Sequence, residues 1–63
     1  MQLSDVRLGQ TVMIVAKDEF FAFVHGWTGI AGGVNNGLVI VTARNPDGHP
    51  VTLFVPADQL DAI

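Results

Sequence analysis

The chain alternates between short apolar runs and short segments of glycine, asparagine, proline and charged residues. Residues 11–16 (TVMIVA) and 38–43 (LVIVTA) are the clearest apolar runs, and their β-branched residues are typical of strands. Within the first run, Val12, Ile14 and Ala16 share one face of the predicted strand. No segment keeps a helical period over about ten residues or more, so the pattern predicts an all-β domain.

Two of the intervening segments are tight turns. Residues 35–37 (NNG) tolerate the positive φ that short hairpins demand. Residues 45–48 (NPDG) place proline at the second position of a turn and glycine at the last. Further strands are therefore predicted at 28–34 and 49–55, on either side of the 38–43 strand.

The 49–55 strand has two different faces. Val51, Leu53 and Val55 share one face, and Thr52 and Phe54 lie on the other. The core expected from all these strands consists of Val12, Ile14, Ile30, Ile40, Leu53 and Leu60.

The two ends of the chain carry weaker signals. Residues 3–8 form a lead-in segment in which Ser4 or Asp5 caps a single turn. Residues 56–60 (PADQL) begin with a proline that ends the preceding strand, and they predict one 3₁₀ or helical turn. A last short strand is expected at 61–63.

Five short strands in so few residues favour closure over an open sheet, since closure removes exposed edges. The prediction is an all-β, five-stranded antiparallel barrel with a short 3₁₀ turn before the last strand. It occupies residues 1–63 as a single domain.

Three segments carry a family resemblance that covers nearly the whole chain from Gly9. They are residues 9–12 (GQTV), residues 27–30 (WTGI) with the hairpin into 39–41 (VIV), and the late strand entering 56–60 (PADQL). Together they resemble the SH3-like small β-barrels and, among these, the KOW-type arrangement. KOW-type domains often bind RNA or protein through a basic loop, whereas this chain has Asp18, Glu19 and a row of phenylalanines there.

A second resemblance is to the plasmid-encoded type II dihydrofolate reductases, which are of similar length and form tetramers around one central pore. It rests on Trp27, Gly29, Val51-Thr52-Leu53-Phe54, Pro56 and Leu60. The active-site strand of that family reads Val-Gln-Ile-Tyr. Thr52 and Phe54 stand at the Gln and Tyr places, which removes the groups that hold folate and nicotinamide. No cofactor is predicted.

The composition gives a further reason to expect oligomerisation. Hydrophobic residues make up 49% of the chain and charged residues only 14%, against about 25% charged in a typical soluble domain. Small domains rely on disulfides, metals or oligomerisation. The chain has no cysteine, and His25 and His49 are its only soft metal ligands. Oligomerisation is the route that remains.

Charge bears on partners and location. Arg7, Lys17 and Arg44 are scattered and face six acidic residues, for a net charge of −3. Nucleic-acid binding draws on clustered basic residues, so this distribution argues against such a partner. The first residues lack the pattern of a signal peptide, and no apolar run is long enough for a membrane span. A soluble, cytoplasmic protein without a membrane partner is expected.

The aromatic residues are concentrated in one segment. Residues 20–27 (FFAFVHGW) hold all but one of them, as a strand or as a long loop. They cannot all point inward, because neighbouring strand residues face opposite sides. An apolar interface is therefore predicted from this segment, the outward face of the 38–43 strand and one residue of the 49–55 strand. Its residues are Phe20, Phe21, Phe23, Trp27, Val39, Val41 and Phe54.

No catalytic or metal-binding residue is assigned, and the protein is predicted to be non-enzymatic. The first hypothesis is an assembly module or accessory subunit that self-associates, and the second is a module that docks a larger protein partner. Two alternatives remain. One is a small oligomeric enzyme or ligand-binding barrel whose site forms between subunits, with His25 and Thr52 as candidates. The other is a KOW-like nucleic-acid module.

Overall fold

The computed structural model describes residues 2–63 and contains five strands and three single 3₁₀ turns. The strands are β1 (Thr11–Ile14), β2 (Thr28–Asn35), β3 (Leu38–Arg44), β4 (Pro50–Pro56) and β5 (Leu60–Ala62). The 3₁₀ turns span Leu3–Asp5, Ala22–Val24 and Ala57–Gln59. Every regular element in the described range is thus a strand or a 3₁₀ turn, which confirms the all-β prediction and the turn before the last strand.

The five strands form one antiparallel sheet in the order β4-β3-β2-β1-β5. β4 and β5 are its edges, and the sheet is not closed. The five antiparallel strands are confirmed, and the closed SH3-like barrel stays a prediction.

Both predicted turns are formed. Asn36 and Gly37 have φ of 53° and 79°, the positive values of a two-residue type I′ hairpin between β2 and β3. Between β3 and β4, the Gly48 N–H donates to the Asn45 carbonyl oxygen at 2.9 Å. The Asn45 side-chain oxygen also accepts from the His49 N–H at 2.9 Å, which fixes the turn from within.

A β-bulge in β2 changes which side chains point inward. The pairing with β3 shifts between Ala31 and Gly33, so the extra residue reverses the alternation along β2. Ile30 pairs with Thr42 on the outer face and is 45% exposed. Ile40 lies on the same face and is half-buried. The core positions predicted for Ile30 and Ile40 are therefore wrong.

The core consists of one face of every strand together with residues of the second and third 3₁₀ turns. Val12, Ile14 and Leu60 are fully buried, as predicted, and Leu53 packs against them while partly exposed. The whole buried apolar cluster is Val12, Ile14, Phe21, Val24, Ala31, Val39, Val41, Ala43, Val55, Ala57 and Leu60. The Cα radius of gyration is 10.4 Å, against about 10.6 Å for a compact chain of this length. The chain is therefore as compact as expected for its length.

The N-terminal lead-in forms one 3₁₀ turn, as expected, but its predicted cap is wrong. The capping position is Gln2, and no side chain caps the turn. Val6 packs against the core, whereas Leu8 is 76% exposed. Within residues 2–63, no helix has the length and apolar character needed to cross a membrane.

Candidate interaction surface

Residues 15–27, here called the aromatic loop, connect β1 to β2. They form a loop with one 3₁₀ turn at Ala22–Val24, not a strand. The Ile14 N–H donates to the Trp27 carbonyl oxygen at 2.8 Å, and the Gly26 N–H donates to the Ile14 carbonyl oxygen at 2.7 Å. The two ends of the loop are thus joined as a continuation of the β1–β2 ladder.

A buried glutamine holds the first half of the aromatic loop. Gln59, only 5% exposed, lies in the 3₁₀ turn before β5. Its side-chain oxygen accepts from the Lys17 N–H at 3.0 Å, and its side-chain nitrogen donates to an Asp18 carboxylate oxygen at 3.1 Å. The Val15 N–H donates to the Gln59 backbone carbonyl at 2.9 Å. We call this set of contacts the Gln59 clamp.

Two more side-chain contacts fix the backbone of the aromatic loop. The other Asp18 carboxylate oxygen accepts from the Phe21 N–H at 3.0 Å. His25 Nδ1 accepts from the Ala16 N–H at 3.0 Å, which requires that this ring nitrogen carry no proton. The loop is therefore held by side chains at both ends and in the middle.

The phenylalanines of the aromatic loop lie on opposite sides of its backbone. Phe21 is 8% exposed and belongs to the core, whereas Phe20 and Phe23 are 74% and 69% exposed. The rings of Phe20 and Phe21 make an edge-on contact with centroids 4.8 Å apart. Trp27 is partly buried against the core. The anchored loop thus presents two phenylalanine rings to solvent.

A second group of exposed apolar side chains crosses the outer face of the sheet. Gly33, Ile40 and Phe54 are aligned across β2, β3 and β4. A Cβ at Gly33 would lie 3.8 Å from Ile40 Cδ1 and 4.0 Å from Leu8 Cδ2. Gly33 therefore lies next to the side chains of both Ile40 and Leu8. We call Leu8, Ile30, Ile40 and Phe54 the outer apolar strip.

The structure separates the predicted interface residues into two groups. Phe20, Phe23 and Phe54 are exposed, and Trp27 is partly exposed. The remaining residues, Phe21, Val39 and Val41, are buried in the core. Their prediction as interface residues is corrected, because a partner could reach them only if the core opened. The outward face of β3 is formed by Leu38, Ile40, Thr42 and Arg44.

Three features of this surface escaped the sequence prediction. The prediction places Ile30 inward, whereas it pairs with Thr42 on the outer face. The bulge in β2 is also missing from the prediction, although glycines inside a strand, such as Gly32 and Gly33, often mark one. The Gln59 clamp joins residues 41 and 42 positions apart. No local pattern could reveal it.

An open groove of about 460 Å³ lies beside the aromatic loop. It is lined by Ala16, Lys17, Asp18, Glu19, Ala22 and His25. Thr52 lies elsewhere, on the edge strand β4, so the two candidates of the enzyme alternative do not share this groove. Among residues 2–63, no three His, Asp or Glu side chains are grouped closely enough to hold a metal ion.

Compared with protein-family models, curated proteins and solved structures, the chain has no significant match.

Proposed function

We propose that this protein is a non-enzymatic assembly module that self-associates through the aromatic loop. The observation that carries the proposal is the exposure of Phe20 and Phe23 on a loop that is otherwise tightly anchored. Large exposed aromatic side chains are costly in water and enriched in the centres of protein interfaces. A second copy of the chain is the partner that we propose.

The anchoring of the loop favours binding over disorder. The Gln59 clamp and the His25 contact with Ala16 hold the backbone before any partner arrives. A preformed loop loses little conformational freedom on association, so more of the apolar contact energy contributes to affinity. A flexible loop with the same residues would bind more weakly.

The electrostatics fit a protein partner better than a nucleic acid. Lys17 lines the groove together with Asp18 and Glu19, and one Arg44 nitrogen donates to the Gly48 carbonyl oxygen at 2.7 Å. Arg7, Lys17 and Arg44 are also scattered along the sequence and are outnumbered by six acidic residues. The counterion release that drives nucleic-acid binding needs clustered basic residues.

We also propose that the fold is an SH3-like barrel of the KOW type. Five antiparallel strands, a long loop after the first strand and a 3₁₀ turn before the last strand agree with the SH3-like, KOW-type resemblance. In SH3-like domains the long loop after the first strand commonly lines the ligand groove. The position of the exposed phenylalanines supports the idea that this loop is the contact surface.

The test compares the molar mass of three chains by light scattering across a concentration series. The double variant Phe20→Ser/Phe23→Ser removes the exposed rings but leaves Phe21 in the core. The matched control is Ile63→Ser, which also replaces an exposed apolar residue (70% exposed) but lies outside the loop. We expect the double variant to show a lower average molar mass than the unmodified chain at the same concentration. The control should show the same molar mass as the unmodified chain. Equal association of all three folded chains would refute the loop as the contact.

A further inference from the structure

The backbone orientation of β3 determines which N–H and C=O groups of β4 point away from the sheet. A Cβ at Gly29 would lie 2.5 Å from the Thr42 carbonyl oxygen, and one at Gly32 would lie 3.7 Å from the Ile40 carbonyl oxygen. Both glycines are in β2, so the carbonyls of Ile40 and Thr42 face β2. Polar groups alternate sides along an antiparallel strand, so Val39, Val41 and Ala43 direct theirs toward β4.

The same alternation fixes β4, because its register with β3 is unbroken from Leu38↔Pro56 to Arg44↔Pro50. Val51, Leu53 and Val55 lie opposite Val39, Val41 and Ala43, the residues of β3 whose main-chain groups point toward β4. These three residues of β4 therefore form the hydrogen bonds to β3. Thr52 and Phe54 therefore direct their N–H and C=O groups away from the sheet. The two strand ends, Pro50 and Pro56, also face outward. They have no N–H to donate, as expected for prolines on an edge strand.

The free edge of β4 carries little of the usual protection against pairing. Edge strands are commonly blunted by charged side chains, by shortness or by cover from another element. β5, the other edge, has three residues and Asp61. β4 has seven residues, none of them charged, and among residues 2–63 no strand lies beyond it. Its prolines limit pairing at the ends but leave the centre open.

The outward groups of β4 are arranged symmetrically about Leu53. Thr52 and Phe54 lie one position on either side of it, and Pro50 and Pro56 lie three positions on either side. We infer that β4 pairs with β4 of a second copy, antiparallel, across a two-fold axis at Leu53. Thr52 of each copy then exchanges two main-chain hydrogen bonds with Phe54 of the other.

This contact goes beyond the aromatic-loop contact proposed above and uses a different surface. The absence of charge between Pro50 and Pro56 lets two copies approach although each has a net charge of −3. An interface of standard size covers about 800 Å² of each partner, which is about a fifth of the 3960 Å² surface of this chain. Phe54, 46% exposed at this edge, adds apolar area to the main-chain bonds. Because proline at both ends stops the ladder, the pairing closes as a dimer.

Amide hydrogen exchange followed by NMR on the unmodified chain tests the inference residue by residue. The amides of Val51, Leu53 and Val55 should be protected at every protein concentration, since they bond to β3. The amides of Thr52 and Phe54 should gain protection, by at least about tenfold, only as the concentration rises into the range where dimers form. Fast exchange of Thr52 and Phe54 at concentrations where the chain is associated would overturn the inference. Protection of Ala62 on β5 together with β4 would also overturn it, since it would indicate head-to-tail pairing.

A backbone substitution gives a second test, because a chain of this length is accessible to chemical synthesis. N-methylation of Phe54 removes one outward N–H without changing any side chain, and N-methylation of Ala62 makes the same change on the other edge. We expect only the first to abolish the concentration-dependent protection of Thr52, with circular dichroism unchanged for both. Equal protection of Thr52 in the two chains would contradict the pairing.

The two proposals fail separately. If the Phe20→Ser/Phe23→Ser variant still gains protection at Thr52 and Phe54, the edge contact is upheld independently of the loop. If the unmodified chain associates without that protection and the loop variant does not associate, the loop proposal survives and the edge inference is wrong.

Discussion

Phe20, Phe21 and Phe23 are identical side chains in two different environments. The Phe21 ring is buried, and its N–H is held by the Asp18 carboxylate. Phe20 and Phe23 stand largely in solvent. Strand alternation predicts that the aromatic residues cannot all point inward, but the sequence prediction placed all three phenylalanines at the interface. The assignment depends on a 3₁₀ turn, which does not follow the alternation of a strand.

Replacing Phe21 with alanine should cost about 3–5 kcal/mol, the usual range for a buried phenylalanine. A domain of this length has a total stability of only about 3–9 kcal/mol, so the variant should lose a large share of it and, at the low end of that range, be mostly unfolded. Phe23→Ala, the matched exposed position, should change stability by less than about 0.5 kcal/mol. Urea denaturation followed by circular dichroism measures both. Similar losses for the two variants would contradict the burial assigned here.

Gly29 is required for a different reason, the close approach of two backbones. An added Cβ would meet the Thr42 carbonyl oxygen at 2.5 Å, so Gly29→Ala forces β2 and β3 apart. Backbone cannot yield as a side chain can, and we expect a loss of about 2 kcal/mol or more. Gly32→Ala is the control on the same strand, since its nearest contact would be an ordinary 3.7 Å. Thermal unfolding should show a clear drop in Tm for the first variant and little change for the second.

At the scale of elements, the strands and hairpins followed from the sequence because their signals are local. Each of these elements is specified by the residues within it. This holds for the NNG and NPDG turns and for the apolar runs at 38–43 and 49–55. The aromatic loop did not follow, since contacts between residues far apart in the chain hold it. The bulge in β2 is intermediate: its glycines are visible, but the register that it shifts involves β3.

The Gln59 clamp should account for most of the order in the first half of the aromatic loop. Gln59→Ala removes the partner of the Lys17 N–H and of the Asp18 carboxylate. Because Lys17 and Asp18 are exposed, water can replace the lost partner, and we expect a loss of about 0.5–1.5 kcal/mol per hydrogen bond. Amide exchange should accelerate at Lys17 and at Phe21, which Asp18 also holds. Gln10→Ala is the control, because Gln10 accepts one exposed bond from the Arg7 N–H at 3.1 Å. Unchanged exchange in the Gln59 variant would show that the loop is ordered by other contacts.

At the scale of the whole molecule, the low charge content has a structural explanation. Every strand contributes one face to the core, yet apolar side chains also occupy the outer face and the aromatic loop. Composition predicted this excess of apolar surface. The sequence prediction located part of this apolar surface on the face of β3 that is in fact buried. Residues 38–43 are apolar on both faces, so alternation alone does not say which face is inward. In the structure the inward face of β3 is the one that carries Val39, Val41 and Ala43.

The central claim is that this chain associates with itself, and sedimentation velocity on the unmodified protein tests it most directly. Measured from about 1 to 100 μM, the range in which modest apolar contacts saturate, the weight-average mass should rise well above the 6.7 kDa of one chain. It should fall back toward that value on dilution. A single species of monomer mass across the whole range would contradict the account.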